Sequence, residues 1–187
     1  MSERIDDVEL VARAERGEKA AFEELVERHF AVVVTAAYSI LGDMDAAKDC
    51  AQDAFLEATA TLPKLRDKSK FSSWIYGISR RKAIYVLRRQ KLHVEAMKVK
   101  HDESKSAMPA YSPSEQASHN ERLESIRKSL NELPEIYREV LLLKYIDNRS
   151  HEDISQLLDI TLAAVDKRLM RGKDMLRESM RRWKTDE

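Results

Sequence analysis

Residues 70–89, KFSSWIYGISRRKAIYVLRR, set Phe71, Trp74, Tyr76 and Tyr85 among Lys70, Arg80, Arg81, Lys82, Arg88 and Arg89. A buried helix favours the aromatics and rejects the cations; a solvated helix does the opposite. A surface that grips an unstacked nucleic-acid strand uses both, because bases lie on aromatic faces, at roughly 1–3 kcal/mol each, while Arg and Lys follow the phosphates. On a helical projection, Phe71, Trp74, Ile75, Ile78, Tyr85 and Val86 fall within about 120° of one another. Arg81 and Arg88 border that stripe, and Tyr76, Ala83 and Leu87 form a second apolar strip. The helix is therefore expected to be wedged between neighbours, its basic edge lined by aromatics. Spacing alone leaves a second reading open, in which Trp74 and the tyrosines are core and nothing more.

A second constellation lies near the C-terminus, in DISQLLDITLAAVDKRLMRG (153–172). Ile154, Leu157 and Leu158 mark a short amphipathic helix, Asp159–Ile160–Thr161 breaks it, and Leu162, Val165 and Leu169 mark a second helix. Lys167, Arg168, Arg171 and Lys173 make the second helix basic. Two short helices at a steep angle, the second one cationic, describe a helix-turn-helix, whose recognition helix presents its first turns to base edges in a major groove. A plain helical hairpin with a basic solvated face has the same spacing. The turn position holds Asp159 rather than Gly, and Asp tolerates positive φ better than most residues.

Nothing in the chain points to catalysis. The five His are scattered and no Cys or His pair has metal-ligand spacing, so no metal and no cofactor is expected. Glu23, Glu24 and Glu27 fit a solvated helix edge, and the four isolated Gly form no phosphate loop. The single Cys50 permits no internal disulfide, suits a reducing cytosol and is expected to be a small buried residue.

These groups need helices to carry them. With four Gly, four Pro and 43% hydrophobic residues in 187, the composition favours packed helices. Apolar periodicity marks helices over 5–17, 19–41, 44–62 and 71–89, and again through NERLESIRKSLNEL, EIYREVLLLKYI, SHEDISQLLDI and TLAAVDKRLMRGKDMLRESMRRW. Pro134 suits a first helical position, and Ser150 with Asp153 a capping box. No alternating β-branched segment suggests a sheet. Residues 95–118 hold two prolines and five serines with little periodicity, and are read as a flexible linker. The expectation is thus all-α: two small helical domains, 1–94 and 119–187, on a tether. The N-terminus lacks an apolar signal core, and AVVVTAAYSIL is too short to span a bilayer, so a soluble cytoplasmic protein with no membrane partner is expected.

The formal net charge is zero, yet the charge is segregated. Six basic and fourteen acidic residues in 1–63 leave −8, and thirteen against four in 64–105 leave +9. Six against eleven in 106–166 leave −5, and eight against four in 167–187 leave +4. Such blocks suit one face for a polyanion and another for a basic protein.

On these stretches the chain resembles the extracytoplasmic-function (ECF) sigma factors of bacterial RNA polymerase. DAAKDCAQDAFLEA (45–58) resembles the polymerase-binding motif of sigma region 2, residues 70–89 the stretch that melts and reads the promoter −10 element, and residues 130–172 region 4, which reads the −35 element. The resemblance implies that Asp45, Asp49, Gln52, Asp53 and Phe55 dock the clamp coiled coil of core polymerase, whose flap is a further partner. It implies that Lys70, Ser72, Ser73, Trp74, Tyr76, Arg80, Arg81, Lys82, Tyr85, Arg88 and Arg89 serve the −10 element, with a flipped base held by the loop 66–74. It places Thr161, Ala163, Ala164, Asp166, Lys167, Arg168, Arg171 and Lys173 at the −35 major groove. Family members are often restrained by an anti-sigma factor, although no residue here identifies one. The two promoter elements lie about 50 Å apart, at 34 Å per duplex turn, so polymerase would have to hold the domains apart. Four departures stand out: Lys48 where the family usually has Glu, Arg81 where it has Asn, Tyr85 where it has Asp, and Asp166 where it has a cation. The Asp166 carboxylate can accept from cytosine, which implies altered promoter choice. The competing reading is a helix-turn-helix regulator that binds duplex DNA without polymerase.

Overall fold

The computed structural model describes residues 5–100 and 117–185. Among these residues there are eight α-helices, two short 3-10 turns and no strand. In chain order they are α1 (Asp7–Glu15), α2 (Lys19–Leu41), α3 (Met44–Thr61), α4 (Phe71–Lys100), α5 (Ala117–Glu132), α6 (Glu135–Tyr145), α7 (His151–Leu158) and α8 (Leu162–Thr185). Of the segment read as a linker, 95–100 continue α4 and 117–118 begin α5; the remainder lies outside the described residues. No described helix is long and apolar enough to cross a membrane.

Local chemistry accounts for the boundaries. Asp6 and Asp43 cap α1 and α3 by accepting from the amides of Glu9 and Ala46, both at 2.8 Å. Gly42 closes α2 at φ +67°, where a side chain would be strained. The Ser150–Asp153 capping box forms in both directions, at 2.9 and 3.1 Å. Asp159 takes φ +52° and ends α7, as the turn requires. Pro134 differs from expectation by one position: its ψ of 141° is extended, so it precedes α6 instead of opening it.

Helices α1–α4 form one bundle around α2, with Leu25, Val33, Ala51, Phe71 and Ile75 fully buried. Helices α5–α8 form a second, with Val140, Leu143, Ile154 and Val165 at its centre. Gly172 lets α8 close on α6, since a Cβ there would meet Leu141 at 3.2 Å.

The two bundles do not stand apart. α6 lies across α2 and meets α4 through side chains, α7 packs against α4, and one hydrophobic cluster runs through both units. This explains AVVVTAAYSIL: Val32 to Ile40 are apolar nearly all round because α2 is covered on both sides, by its own bundle and by α6. The second strip of α4 has the same partner. Ala83 and Leu87 join a cluster with Leu142, and the buried Tyr76 donates to Glu139 at 2.7 Å.

Polar groups finish the seam. Arg138 is buried and donates to the carbonyls of Ser39, Asn131 and Leu133 at 3.0, 2.8 and 2.9 Å. Burial lowers its pKa, and those carbonyls are what make the buried cation tolerable. Asn131 donates to the Gly42 carbonyl at 3.1 Å.

Candidate nucleic-acid interface

Beside the seam, three surfaces carry the groups singled out in the sequence. On α3, Asp45, Asp49, Gln52 and Asp53 are exposed and share one face at helical spacing. Phe55 is not part of that face. It is 5% exposed, stacks on Phe30 at 6.3 Å and meets Phe22 edge-on at 6.5 Å, so it holds α3 to α2. The apolar group the face does offer is Leu56, 70% exposed and four residues on from Gln52. The signal for it was present in the sequence: one more step of the same acidic face lands on a leucine. Cys50 is buried, and that burial pushes its thiol upward, away from reactivity.

The start of α4 is built on Asp67, which accepts from the Ser69 amide at 3.1 Å and its hydroxyl at 2.6 Å. These bonds turn the chain so that Lys70 is exposed and Ser72, Ser73 and Trp74 are half-buried at the head of the helix. Trp74 leans on Phe71, with ring centroids 5.9 Å apart. Tyr85 is 67% exposed. Trp74, Arg81, Tyr85 and Arg88 line one stripe, which puts the two aromatics about 16 Å apart along the axis. Arg81 and Lys82 reach Glu57 of α3 at 3.7 and 2.9 Å, and Arg88 and Arg89 are exposed.

Tyr76 and Arg80 take a different place from the rest of their group. Tyr76 is 2% exposed, and burial together with the Glu139 carboxylate pushes its hydroxyl well above the ordinary value. Arg80 pairs with Glu135 and Glu139 of α6. Burial works against its charge, and the two carboxylates outweigh burial and raise its pKa. In this closed arrangement Tyr76 is covered, and the Arg80 guanidinium is committed to two carboxylates of α6. Sequence reading missed Glu135, Arg138 and Glu139 because the partners they meet across the seam lie some 55 to 100 residues away in the chain.

The helix-turn-helix is formed by α7 and α8. Ser155 donates its hydroxyl to the Ile160 carbonyl across the turn, and Thr161 accepts from the Ala164 amide at 3.2 Å. Val165 and Leu169 are buried; Thr161, Ala163, Asp166, Lys167, Arg171 and Lys173 are exposed, and Ala164 and Arg168 are half-buried. Lys173 sits over the Tyr145 ring at 5.3 Å, and Asp166 pairs with His151 at 2.7 Å. Among the described residues no group of His, Cys, Asp or Glu is placed to hold a metal ion.

Comparison with known proteins adds two kinds of likeness. The family model for sigma-70 region 2 matches residues 25–93, and that for sigma-70 region 4 matches residues 123–176. The chain is similar to the ECF RNA polymerase sigma-E factor of Escherichia coli (strain K12), 30% identical over 184 residues, covering 94% of this chain and 95% of that one. It is also similar to the ECF RNA polymerase sigma factor SigW of Bacillus subtilis (strain 168), 29% identical over 177 residues, 91% of this chain and 95% of that one. In fold it resembles CnrH in complex with the cytosolic domain of CnrY, with TM-score 0.65 and 24% identity over 92% of this chain and 95% of that one. It resembles likewise the sigma factor RpoE in complex with the anti-sigma factor NepR from Bartonella quintana, with TM-score 0.61 and 22% identity over 86% and 96% of the two chains.

Proposed function

Because the chain belongs to the ECF sigma factors of RNA polymerase, we propose that it directs core polymerase to specific promoters and assists their opening, through three separate surfaces. The phosphoryl-transfer chemistry stays with the polymerase. The observation that carries this reading is the pairing of two exposed basic readers of different kinds: an aromatic–cationic stripe on α4 and the outer face of α8 behind a helix-turn-helix. Duplex recognition needs the second, and capture of an unpaired strand needs the first.

In this assignment residues 1–94 form region 2 and residues 119–187 region 4. The acidic face of α3, with Leu56 at its end, docks the clamp coiled coil of core polymerase; the flap holds the C-terminal unit. Lys70, Ser72, Ser73, Trp74, Arg81, Tyr85, Arg88 and Arg89 engage the −10 strand from the surface they already occupy. Tyr76 and Arg80 join them only after α6 leaves α4. Thr161, Asp166, Lys167, Arg171 and Lys173 enter the −35 groove. Two solved relatives are bound to CnrY and to an anti-sigma factor, which supports a protein partner that restrains this chain as well. The cytoplasm, where polymerase works, is the proposed location.

Run-off transcription by core polymerase over a promoter library, with and without the protein, tests the reading. New, promoter-specific start sites are expected only when it is present. Specific duplex binding by the protein alone, without any effect on core, would replace this reading with that of a stand-alone regulator. Arg171→Ala is expected to lower the salt slope of −35 binding by about one if it meets one phosphate.

A further inference from the structure

The recognition helix presents a carboxylate where phosphates would call for a cation, and that carboxylate is held in place. His151 is the first residue of α7, Asp166 the fifth of α8, and Nδ1 of the ring lies 2.7 Å from Oδ1 of the acid. The Asp166 side chain is still 63% exposed, and that of His151 is 36% exposed. A carboxylate only accepts, so the ring must donate from Nδ1. The contact takes up Oδ1, and on a side chain this exposed Oδ2 is left to accept from something else.

We propose that Asp166 reads a cytosine in the −35 element and that His151 is the residue that positions it. The inference rests on the promoter-reading assignment above and names the base that one residue selects. Cytosine presents an amino donor, N4, in the major groove without a neighbouring acceptor of its own; guanine and thymine present acceptors that repel a carboxylate, and adenine sets N7 beside its amino group. The surrounding residues leave Asp166 little competition. Ala163 and Ala164 offer no side-chain hydrogen bond, so the polar readout of the first turns falls to Thr161, Asp166 and Lys167.

His151 makes the carboxylate usable. The N-terminal end of the first helix of a helix-turn-helix crosses the DNA backbone, and an imidazole there has a second nitrogen, Nε2, available on its other edge. Its N–H anchors Asp166 against rotation, and the donated hydrogen sets positive partial charge beside the acid, which offsets part of the repulsion that phosphates would exert on it. Unanchored, a short side chain near phosphates would turn away from the groove. The alternative is a plain surface tie between α7 and α8, a kind of contact that contributes little to stability and nothing to base choice.

The two accounts differ in what a promoter library reports. Holoenzyme made from core polymerase and the full-length protein transcribes templates randomised across the −35 element, and the used templates are sequenced. The unsubstituted protein is expected to favour cytosine at one position by about tenfold to a hundredfold, the range of a good base contact. In Asp166→Asn that position alone moves from cytosine to adenine, because an amide pairs with N6 and N7 of adenine. In His151→Ala the preference at the same position falls about tenfold or more. In His151→Asn, whose amide can donate from nearly the site of Nδ1, it returns. An unchanged base preference in Asp166→Asn overturns the proposal, and so does an equal loss at every promoter in His151→Ala. Failure of the unsubstituted holoenzyme to select any template would overturn the promoter-reading assignment itself.

Discussion

Across the seam between α4 and α6, the hydroxyl of Tyr76 donates to Oε1 of Glu139 at 2.7 Å, and both side chains are almost fully buried. Arg80, one turn along α4, pairs with the same carboxylate and with Glu135. A group that resembles a strand-reading contact in sequence is thus occupied, within the chain, by acids of the other unit.

Glu139→Ala leaves the Tyr76 hydroxyl without an acceptor and Arg80 with one acid instead of two. The closed arrangement is expected to lose about 1–3 kcal/mol. Tyr76→Phe, which keeps the Arg80 pair, should lose about 1 kcal/mol. A donor–acceptor dye pair, one on α3 and one on α8, reads the opening directly. Equal dye distances in Glu139→Ala and the unsubstituted protein would mean that these groups do not hold the seam.

On α3, neighbouring residues should separate packing from docking. Phe55→Ala removes a ring stacked on Phe30 and should destabilise the fold by about 3–5 kcal/mol. Leu56→Ala removes an exposed side chain and should leave stability within about 0.5 kcal/mol while weakening core-polymerase binding. Denaturant melts and a polymerase-binding titration on both variants check this. Unchanged polymerase binding in Leu56→Ala would take that residue out of the interface.

Tyr85 is an exposed aromatic on the basic stripe, and Tyr85→Ala should cost promoter opening about 1–3 kcal/mol with the fold intact. Trp74→Ala should act at the same step, with some loss of stability because Trp74 also leans on Phe71. Permanganate footprinting of opened promoters, set beside closed-complex binding, distinguishes the steps. Equal losses in both would make these rings packing groups only.

His29 gives the fold a pH dependence of known sign. Burial, which outweighs the Asp7 carboxylate 2.6 Å away, lowers its pKa below the ordinary value. The unfolded chain takes up the proton near pH 6.5 and so binds more protons than the folded one just below it. Stability is therefore complete above about pH 6.5 and falls as the pH drops through that region. Melting midpoints at pH 7.5 and 5.5 should show the fall, and His29→Gln should remove most of it. An equal fall in His29→Gln would assign the effect to other groups.

Much of this architecture is local, and so legible in the residues themselves. Capping by Asp43 and Ser150, the left-handed turn at Asp159 and the apolar stripes of α2, α3 and α4 depend on neighbours within a few positions, which the sequence displays. Even the second strip of α4, through Tyr76, Ala83 and Leu87, announced that another element would cover it. Which element did so was decided only in three dimensions. Glu139 stands 63 residues from Tyr76, and helical periodicity carries no record of so distant a partner. The same holds for Phe55, whose ring could face a neighbouring protein or Phe30 with equal regularity, and for the clasp of His151 on Asp166, formed by the angle between α7 and α8. Chain order dictated which helices form and which faces are apolar. Tertiary packing decided which charged groups remain free to meet DNA, because that depends on what else is pressed against them.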